Sequence, residues 1–240
     1  HAYLPGLSPF QRDAAQHADD ATLKKIDDAL NRWKSLDYKY KIITKKGDAA
    51  PSVLKIRMRM KAAADVNQQL IEIFGPADMK GTKVLTASPT QMYIYLPAMK
   101  KIRRIASHVT EQGFLGTALS QRDMTLTRYG DKYSAKIDSD GALLALTLTA
   151  KNGEAPYPKL LMKVDKKIWM PTEIKYLNEA GKVIKTETRS QYECDADYCN
   201  PREMVMTDHT SGVSSTLQLK KFKVNPELKD ELFSKRSLMH

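Results

Sequence analysis

Few residues of this sequence have the types and spacing that acid–base or nucleophilic chemistry needs. Asp208 and His209 are followed by Thr210 and Ser211, which supply a carboxylate, a base and two hydroxyl groups. Because neighbouring residues on a strand point to opposite faces, this run does not predict a working catalytic set. The sequence also contains neither the G-x-S-x-G motif of serine hydrolases nor the H-E-x-x-H motif of zinc proteases. We therefore expect a protein that is not an enzyme and that uses no cofactor.

The two cysteines are close together in the chain. Cys194 and Cys199 have four residues between them, and the nearest histidine is His209. This spacing favours a local disulfide, which would stabilise the fold by about 2 kcal/mol and indicate an oxidising compartment. Two free thiols in a cytosolic protein are the alternative. Asp195 and Asp197 in the same stretch could bind calcium, but a solvated acidic loop explains them better, so we predict no metal site.

The chain is basic, with 39 lysines and arginines against 28 acidic residues and a formal net charge of +11. The densest basic cluster is formed by Lys100, Lys101, Arg103 and Arg104. It lacks the exposed, regularly spaced aromatic residues of nucleic-acid-binding modules, so we expect no nucleic-acid partner. Two interpretations remain: contact with a membrane surface, where each basic residue contributes about 1 kcal/mol, or a hydrated strand edge. The longest apolar runs have five residues, whereas a membrane-spanning helix needs about 20.

The N-terminal part contains one clear helical pattern. Leu23, Ile26, Leu30 and Trp33 recur at spacings of three and four residues, which predicts an amphipathic helix over residues 20–34. Asp19 or Asp20 is its expected N-cap. Residues 1–18, which include Pro5, Gly6 and Pro9, are expected to form an irregular arm. The first residue is histidine, so we expect a chain from which a signal peptide has been removed.

The remainder of the chain has the alternating pattern of strands. About ten or eleven short runs with period-two alternation are separated by turn residues. Residues 108–124 break this rhythm and predict an irregular or short helical element. We therefore predict one α+β domain over residues 19–240. It would be mostly β, a strongly curved antiparallel sheet or open barrel that wraps the N-terminal helix.

Five sequence blocks resemble a known family. These are residues 75–82 (GPADMKGT), 93–105 (YIYLPAMKKIRRI), 113–116 (GFLG), 164–171 (VDKKIWMP) and 230–236 (DELFSKR). Their order and spacing are similar to those of the LolA-like outer-membrane lipoprotein-sorting proteins, over roughly residues 20–238. Residues 117–121 (TALSQ) differ from the acidic and aromatic residues that often follow the third block.

The resemblance implies a half-open β-barrel with an apolar cavity for acyl chains. It also implies a periplasmic carrier, a monomer that shuttles a lipid or lipoprotein between the inner and outer membranes. Its partners would be an inner-membrane transporter, such as an exporter of the resistance-nodulation-division type, and an outer-membrane acceptor. A basic scaffold protein with a filled sheet and an unrecognised envelope hydrolase are the alternatives.

The resemblance also suggests which residues meet the lipid. The candidates for lining or covering the cavity are Trp33, Met58, Met60, Phe74, Met92, Tyr93, Tyr95, Leu96, Phe114 and Leu115. Among them Trp33, Phe114 and Leu115 are expected to form a movable cover. Eleven methionines suit a lining that adapts to different chains. Since Arg103 and Arg104 are neighbours, a strand would direct one of them inward, where it could hydrogen-bond a lipid headgroup.

Overall fold

The structure is a computed structural model that describes residues 6–64, 66–106 and 113–240. Its first element is helix α1 (Pro9–Leu30), which begins eleven residues earlier than the pattern predicted. Ser8 caps it by accepting a hydrogen bond from the Gln11 amide at 3.2 Å, and the Gln11 side chain accepts from the Ser8 amide at 2.9 Å. This capping box, with proline in the first turn, starts a helix inside the predicted irregular arm. The prediction of an irregular arm is therefore wrong for residues 9–18. Residues 1–5 lie outside the described part.

In the described part of the chain, thirteen strands form one antiparallel sheet. They are β1 (Ser35–Lys46), β2 (Ser52–Lys61), β3 (Gln68–Gly75), β4 (Lys83–Ser88), β5 (Gln91–Leu96), β6 (Lys101–Arg104), β7 (Tyr133–Asp140), β8 (Leu144–Ala150), β9 (Lys159–Asp165), β10 (Met170–Leu177), β11 (Val183–Asp195), β12 (Tyr198–Asp208) and β13 (Val213–Val224). The predicted fold class is confirmed, and the two strands that the prediction missed are β6 and β7.

The sheet consists of two meanders. Strands β1–β6 follow one another in space, as do β7–β13, and the two series join where β1 pairs with β13. Within the described residues, β6 and β7 are the two ends of the strand order and do not pair with each other. The sheet is therefore half-open.

Helix α1 covers the unpaired edge of β7. Asp19 accepts a hydrogen bond from the Ile137 amide at 3.1 Å, and Asp20 accepts one from the Ala135 amide at 3.0 Å. The two aspartates lie in the middle of the helix and do not cap it, which corrects the prediction. They satisfy backbone donors that an edge strand would otherwise leave open to another chain.

The two faces of the sheet carry separate apolar clusters. The inner face, on which α1 packs through Leu23, Ile26 and Leu30, holds the main core. On the outer face, Leu70 and Leu85 pack against the C-terminal segment. This segment forms two 3-10 turns, Asp230–Phe233 and Lys235–Met239.

Candidate functional site

The inner face of the sheet contains a cavity of about 140 Å³. One wall is apolar and comes from alternate residues of two paired strands. Leu36 and Ile42 project from β1, and Ile56, Met58 and Met60 project from β2. Trp33, just after α1, also lines the cavity, and its indole nitrogen donates to the Leu30 carbonyl at 3.0 Å.

A second wall is the cover segment, residues 113–127. It contains a 3-10 turn (Phe114–Gly116) and the short helix α2 (Gln121–Thr125). Its apolar side chains close the cavity from the side opposite the sheet; they are Phe114, Leu119, Met124 and Leu126. The irregular or short helical element predicted over residues 108–124 is confirmed for residues 113–124, and residues 108–112 lie outside the described part.

Two glycines allow the cover segment to fold tightly. A Cβ atom on Gly113 would lie 2.4 Å from the Thr117 carbonyl oxygen, which is closer than any side chain permits. Gly116 has φ of +79°, in the region that glycine adopts without strain. These two positions explain why the sequence places glycines around Phe114 and Leu115.

Polar contacts hold the cover segment onto the sheet. The Ala118 amide donates to Ser215 Oγ at 2.9 Å on β13, and Gln121 Nε2 donates to Thr86 Oγ1 at 2.8 Å on β4. The charged contact is Lys185 Nζ on β11 with Asp123 Oδ2, at 2.7 Å. The cover is therefore attached to strands on both sides of the β1–β13 junction.

The Asp123–Lys185 pair is buried and shares a third group. Lys185 Nζ also lies 3.1 Å from the Tyr157 hydroxyl, which donates to Asp123 Oδ1. Asp123 Oδ2 accepts a further hydrogen bond from the Ser120 amide at 3.0 Å. Burial, together with the charge of Asp123, raises the pKa of Tyr157. The tyrosine therefore remains a hydrogen-bond donor at neutral pH.

Strand β11 gives the cavity a polar side. Lys185, Glu187 and Arg189 alternate along it and face inward, and the last two line the cavity. Glu187, only 2% exposed, forms an ion pair with Arg189 and accepts from the Tyr176 hydroxyl at 2.6 Å. Burial lowers the pKa of Arg189, but the charge of Glu187 together with the nearby hydroxyl groups of Tyr129, Tyr192 and Tyr176 raises it overall. Arg189 therefore remains charged.

The β11–β12 hairpin brings a second polar group to the cavity. The predicted disulfide between Cys194 and Cys199 is present, and the two cysteines are directly opposite each other on the paired strands. Tyr198 and Asn200 flank Cys199 and line the cavity. The Tyr38 hydroxyl of β1 donates to Asn200 Oδ1. The amide nitrogen of Asn200 is buried and has no hydrogen-bond partner among the residues that the structure describes.

Solved structures show which fold this is. A domain from Vibrio parahaemolyticus, provisionally named an outer membrane lipoprotein-sorting protein, is 21% identical and matches with a TM-score of 0.84 over 94% of this chain and 100% of its own. A DUF1329 family protein from Desulfovibrio piger is 19% identical, with a TM-score of 0.84 over 93% of this chain and 99% of its own. A LolA superfamily protein from Nitrosomonas europaea is 19% identical, with a TM-score of 0.73 over 91% and 98%.

The family assignment rests on a sequence model. Residues 65–240 match a family model whose description is "uncharacterized protein". The chain belongs to this family, and its fold is that of the LolA superfamily and lipoprotein-sorting structures described above. A comparison with curated proteins gave no match.

The fold brings together only part of the predicted site. Trp33, Met58, Met60 and Phe114 line the cavity. Leu115 lies in the cover segment and packs against the core, but it does not line the cavity.

The other five apolar candidates lie elsewhere. Phe74 is 49% exposed, because it follows the buried Ile73 on β3 and points to the outer face. Tyr93 and Tyr95 of β5 also face outward and pack beside the C-terminal segment. Met92 lines a separate surface pocket near the sheet edge, and Leu96 lines neither pocket. Strand alternation therefore places Phe74, Tyr93 and Tyr95 on the outer face, whereas Met92 and Leu96 lie outside the cavity because two strands separate β5 from β2.

The basic cluster lies at the β6 edge. Lys100, Lys101, Arg103 and Arg104 are all exposed. Arg104 donates to the Thr90 carbonyl at 2.7 Å, and neither arginine lines the cavity. Arg103 is directly opposite Ile94, which packs against the inner core, so Arg103 lies on the inner side of β6, but it is exposed at the sheet edge, away from the cavity.

The described residues contain neither a metal-binding cluster nor a helix that could span a membrane. No group of three or more His, Cys, Asp and Glu side chains in residues 6–64, 66–106 and 113–240 is arranged to hold a metal ion. None of the described helices is both long and apolar enough to span a bilayer.

The inward polar residues of β11 and β12 were missed by the sequence reasoning. The alternating pattern predicted a strand over residues 183–192, but its charged residues were not among the predicted site residues. The available signal was the alternation of Lys185, Glu187 and Arg189, which places opposite charges on one side of a strand and allows them to pair when buried.

Proposed function

We propose that this LolA-like chain is a periplasmic carrier that binds an acyl chain of a lipid or lipoprotein without covalent chemistry. The observation that carries the proposal is the cavity, whose apolar walls come from β1, β2 and the cover segment. The cover segment is held by polar contacts and by buried apolar side chains, and it is the part that would move to admit the chain. The disulfide supports an oxidising compartment such as the periplasm.

The size of the cavity determines how such a ligand would enter. Its volume of about 140 Å³ is close to that of an engineered protein cavity of about 150 Å³ that holds benzene. An acyl chain of about sixteen carbons is much larger. Moving such a chain from an apolar site into water costs on the order of 10 kcal/mol of free energy. Entry of a full chain therefore requires the side chains of Phe114, Leu119 and Met124 to move away from the positions at which they line the cavity.

The basic edge is the proposed point of contact with membranes. Lys100, Lys101, Arg103 and Arg104 are exposed beside Met99, whose side chain is 46% exposed. Together the four charges would contribute about 4 kcal/mol at an anionic surface. We propose that this contact is transient and that a transporter in the inner membrane and an acceptor in the outer membrane complete the route.

The test is direct binding of an acyl ligand. Protein secreted to the periplasm is examined by native mass spectrometry and lipid extraction, and a fluorescent fatty-acid probe is then titrated. We expect co-purified acyl species and saturable binding. Met58→Trp, which fills the cavity, should weaken probe binding at least tenfold, while the surface control Met99→Trp should not change it.

A basic scaffold protein is the second candidate function, because the closed cavity is small and one of its sides is polar. If the wild-type protein carries no acyl species and binds no probe, the carrier proposal is overturned and the scaffold is favoured.

A further inference from the structure

The amide of Asn200 is an unused hydrogen-bond donor at the cavity. Asn200 is 2% exposed and lines the cavity. Its oxygen accepts from the Tyr38 hydroxyl, which directs the NH₂ group away from Tyr38. Among the described residues no acceptor reaches this nitrogen. A buried donor without a partner is unfavourable, and buried polar atoms in native proteins nearly always have one.

The surrounding structure holds this donor in place. Asn200 follows Cys199, whose disulfide to Cys194 joins the two strands of the hairpin. Tyr38 and Tyr198 are both buried, and burial raises the pKa of each, so their hydroxyl groups remain protonated at neutral pH. The donor is therefore presented by a cross-linked hairpin and not by a flexible loop.

The rest of the wall decides which ligand atom can meet this donor. The nearby strands β1 and β2 present apolar side chains. The charges on β11 satisfy each other, since Glu187 pairs with Arg189. A ligand that complements this cavity therefore carries a single neutral hydrogen-bond acceptor on a hydrocarbon chain.

We propose that Asn200 forms a subsite for the carbonyl oxygen of an acyl ester or amide, with Tyr38 as a positioning residue. The inference rests on the proposed carrier function and names its ligand class: acylated molecules, preferred over hydrocarbon of the same length. A site built to hydrogen-bond a ligand rejects the analogue that lacks the group, because its own polar atom is then left unpaired.

The test measures displacement of an apolar fluorophore by two ligands with the same number of chain atoms, methyl decanoate and dodecane. We expect the wild-type protein to bind the ester about tenfold more tightly than the alkane. Asn200→Leu should abolish this preference without weakening dodecane binding. Tyr38→Phe should reduce the preference, and it is the informative variant if Asn200→Leu does not fold. Asn152→Leu, on the exposed surface, is the matched control.

The outcomes separate the two proposals. Binding of both ligands by the wild type without an ester preference, or a preference that Asn200→Leu leaves intact, overturns the carbonyl subsite and leaves the carrier standing. If neither ligand binds to the wild-type protein, the carrier function fails, and the subsite fails with it.

Discussion

The ion pair between Lys185 and Asp123 should control how easily the cover segment opens. Both side chains are almost fully buried, with 12% and 1% of their side-chain areas exposed. Replacing Lys185 with Met leaves the Asp123 carboxylate without its positive partner. Removing one partner of a buried pair costs about 3–5 kcal/mol. Because Asp123 keeps its hydrogen bonds from Tyr157 and the Ser120 amide, we expect the lower end, about 3 kcal/mol.

This loss converts into two measurable changes. Unfolding entropy is about 2.1 cal/mol/K per residue, so for 240 residues a loss of about 3 kcal/mol lowers Tm by about 6 °C. If the substitution destabilises mainly the closed position of the cover, a bound acyl probe should dissociate at least tenfold faster, because a change of about 1.4 kcal/mol corresponds to a factor of ten. Differential scanning calorimetry and stopped-flow displacement of the probe measure the two effects.

A matched substitution separates the cover from general destabilisation. Lys175→Met on β10 removes a lysine that is 40% exposed and lies 3.8 Å from Glu173. Exposed pairs of this kind contribute less than about 1 kcal/mol, so both Tm and the release rate should stay close to wild type. A Lys185→Met protein that melts about 6 °C lower but releases the probe at the wild-type rate would refute the gating role of the cover.

Three further predictions concern the disulfide, an ion pair and the cover. Replacing Cys194 and Cys199 together with serine should cost about 2 kcal/mol and lower Tm by about 4 °C in thermal melts, and an unchanged Tm would contradict a stabilising cross-link. Burial raises the pKa of Asp37, but Arg57, helped by neighbouring basic residues, outweighs it and holds the pKa below its ordinary value. This pair therefore stabilises the fold above about pH 4, and the stability difference between wild type and Asp37→Asn, measured by urea unfolding, should shrink as the pH falls from about 5 towards 2. Gly113→Ala should displace the cover and speed probe release, whereas Gly153→Ala, which meets open space, should not; equal rates would argue against the tight turn.

Local patterns predicted much of the fold. The spacing of Leu23, Ile26 and Leu30 identified the buried face of α1, because these positions repeat with the helical period. Eleven of the strands were visible as alternating runs. Strand β6 was hidden because its four residues lie in a basic cluster, and the polar end of β7 (Asp138 to Asp140) obscured its alternation of Tyr133, Ala135 and Ile137.

The parts that could not be predicted depend on contacts between distant segments. Asp19 and Asp20 have the residue type of an N-cap, and only the position of β7 shows that they bind its edge amides. Similarly, Glu187 and Arg189 appear as solvated charges until the curvature of the sheet places them inside. The alternation of side chains along a strand was predictable. Which of the two alternating sets faces the interior, as at Phe74 and Tyr93, was not.

The closed cavity and the proposed cargo are compatible if ligand and cover compete for the same space. Phe114, Leu119 and Met124 occupy apolar volume that a full acyl chain would need. Binding then gains the burial of the chain but loses the burial of these side chains, so the net free energy of binding is much smaller than the value of about 10 kcal/mol that the chain alone would provide. A carrier must also release its ligand, and this exchange makes release feasible. In this scheme the Asp123–Lys185 pair also holds the cover over the bound probe, so weakening the pair should speed both entry and release, whereas filling the wall at Met58 should only exclude the probe.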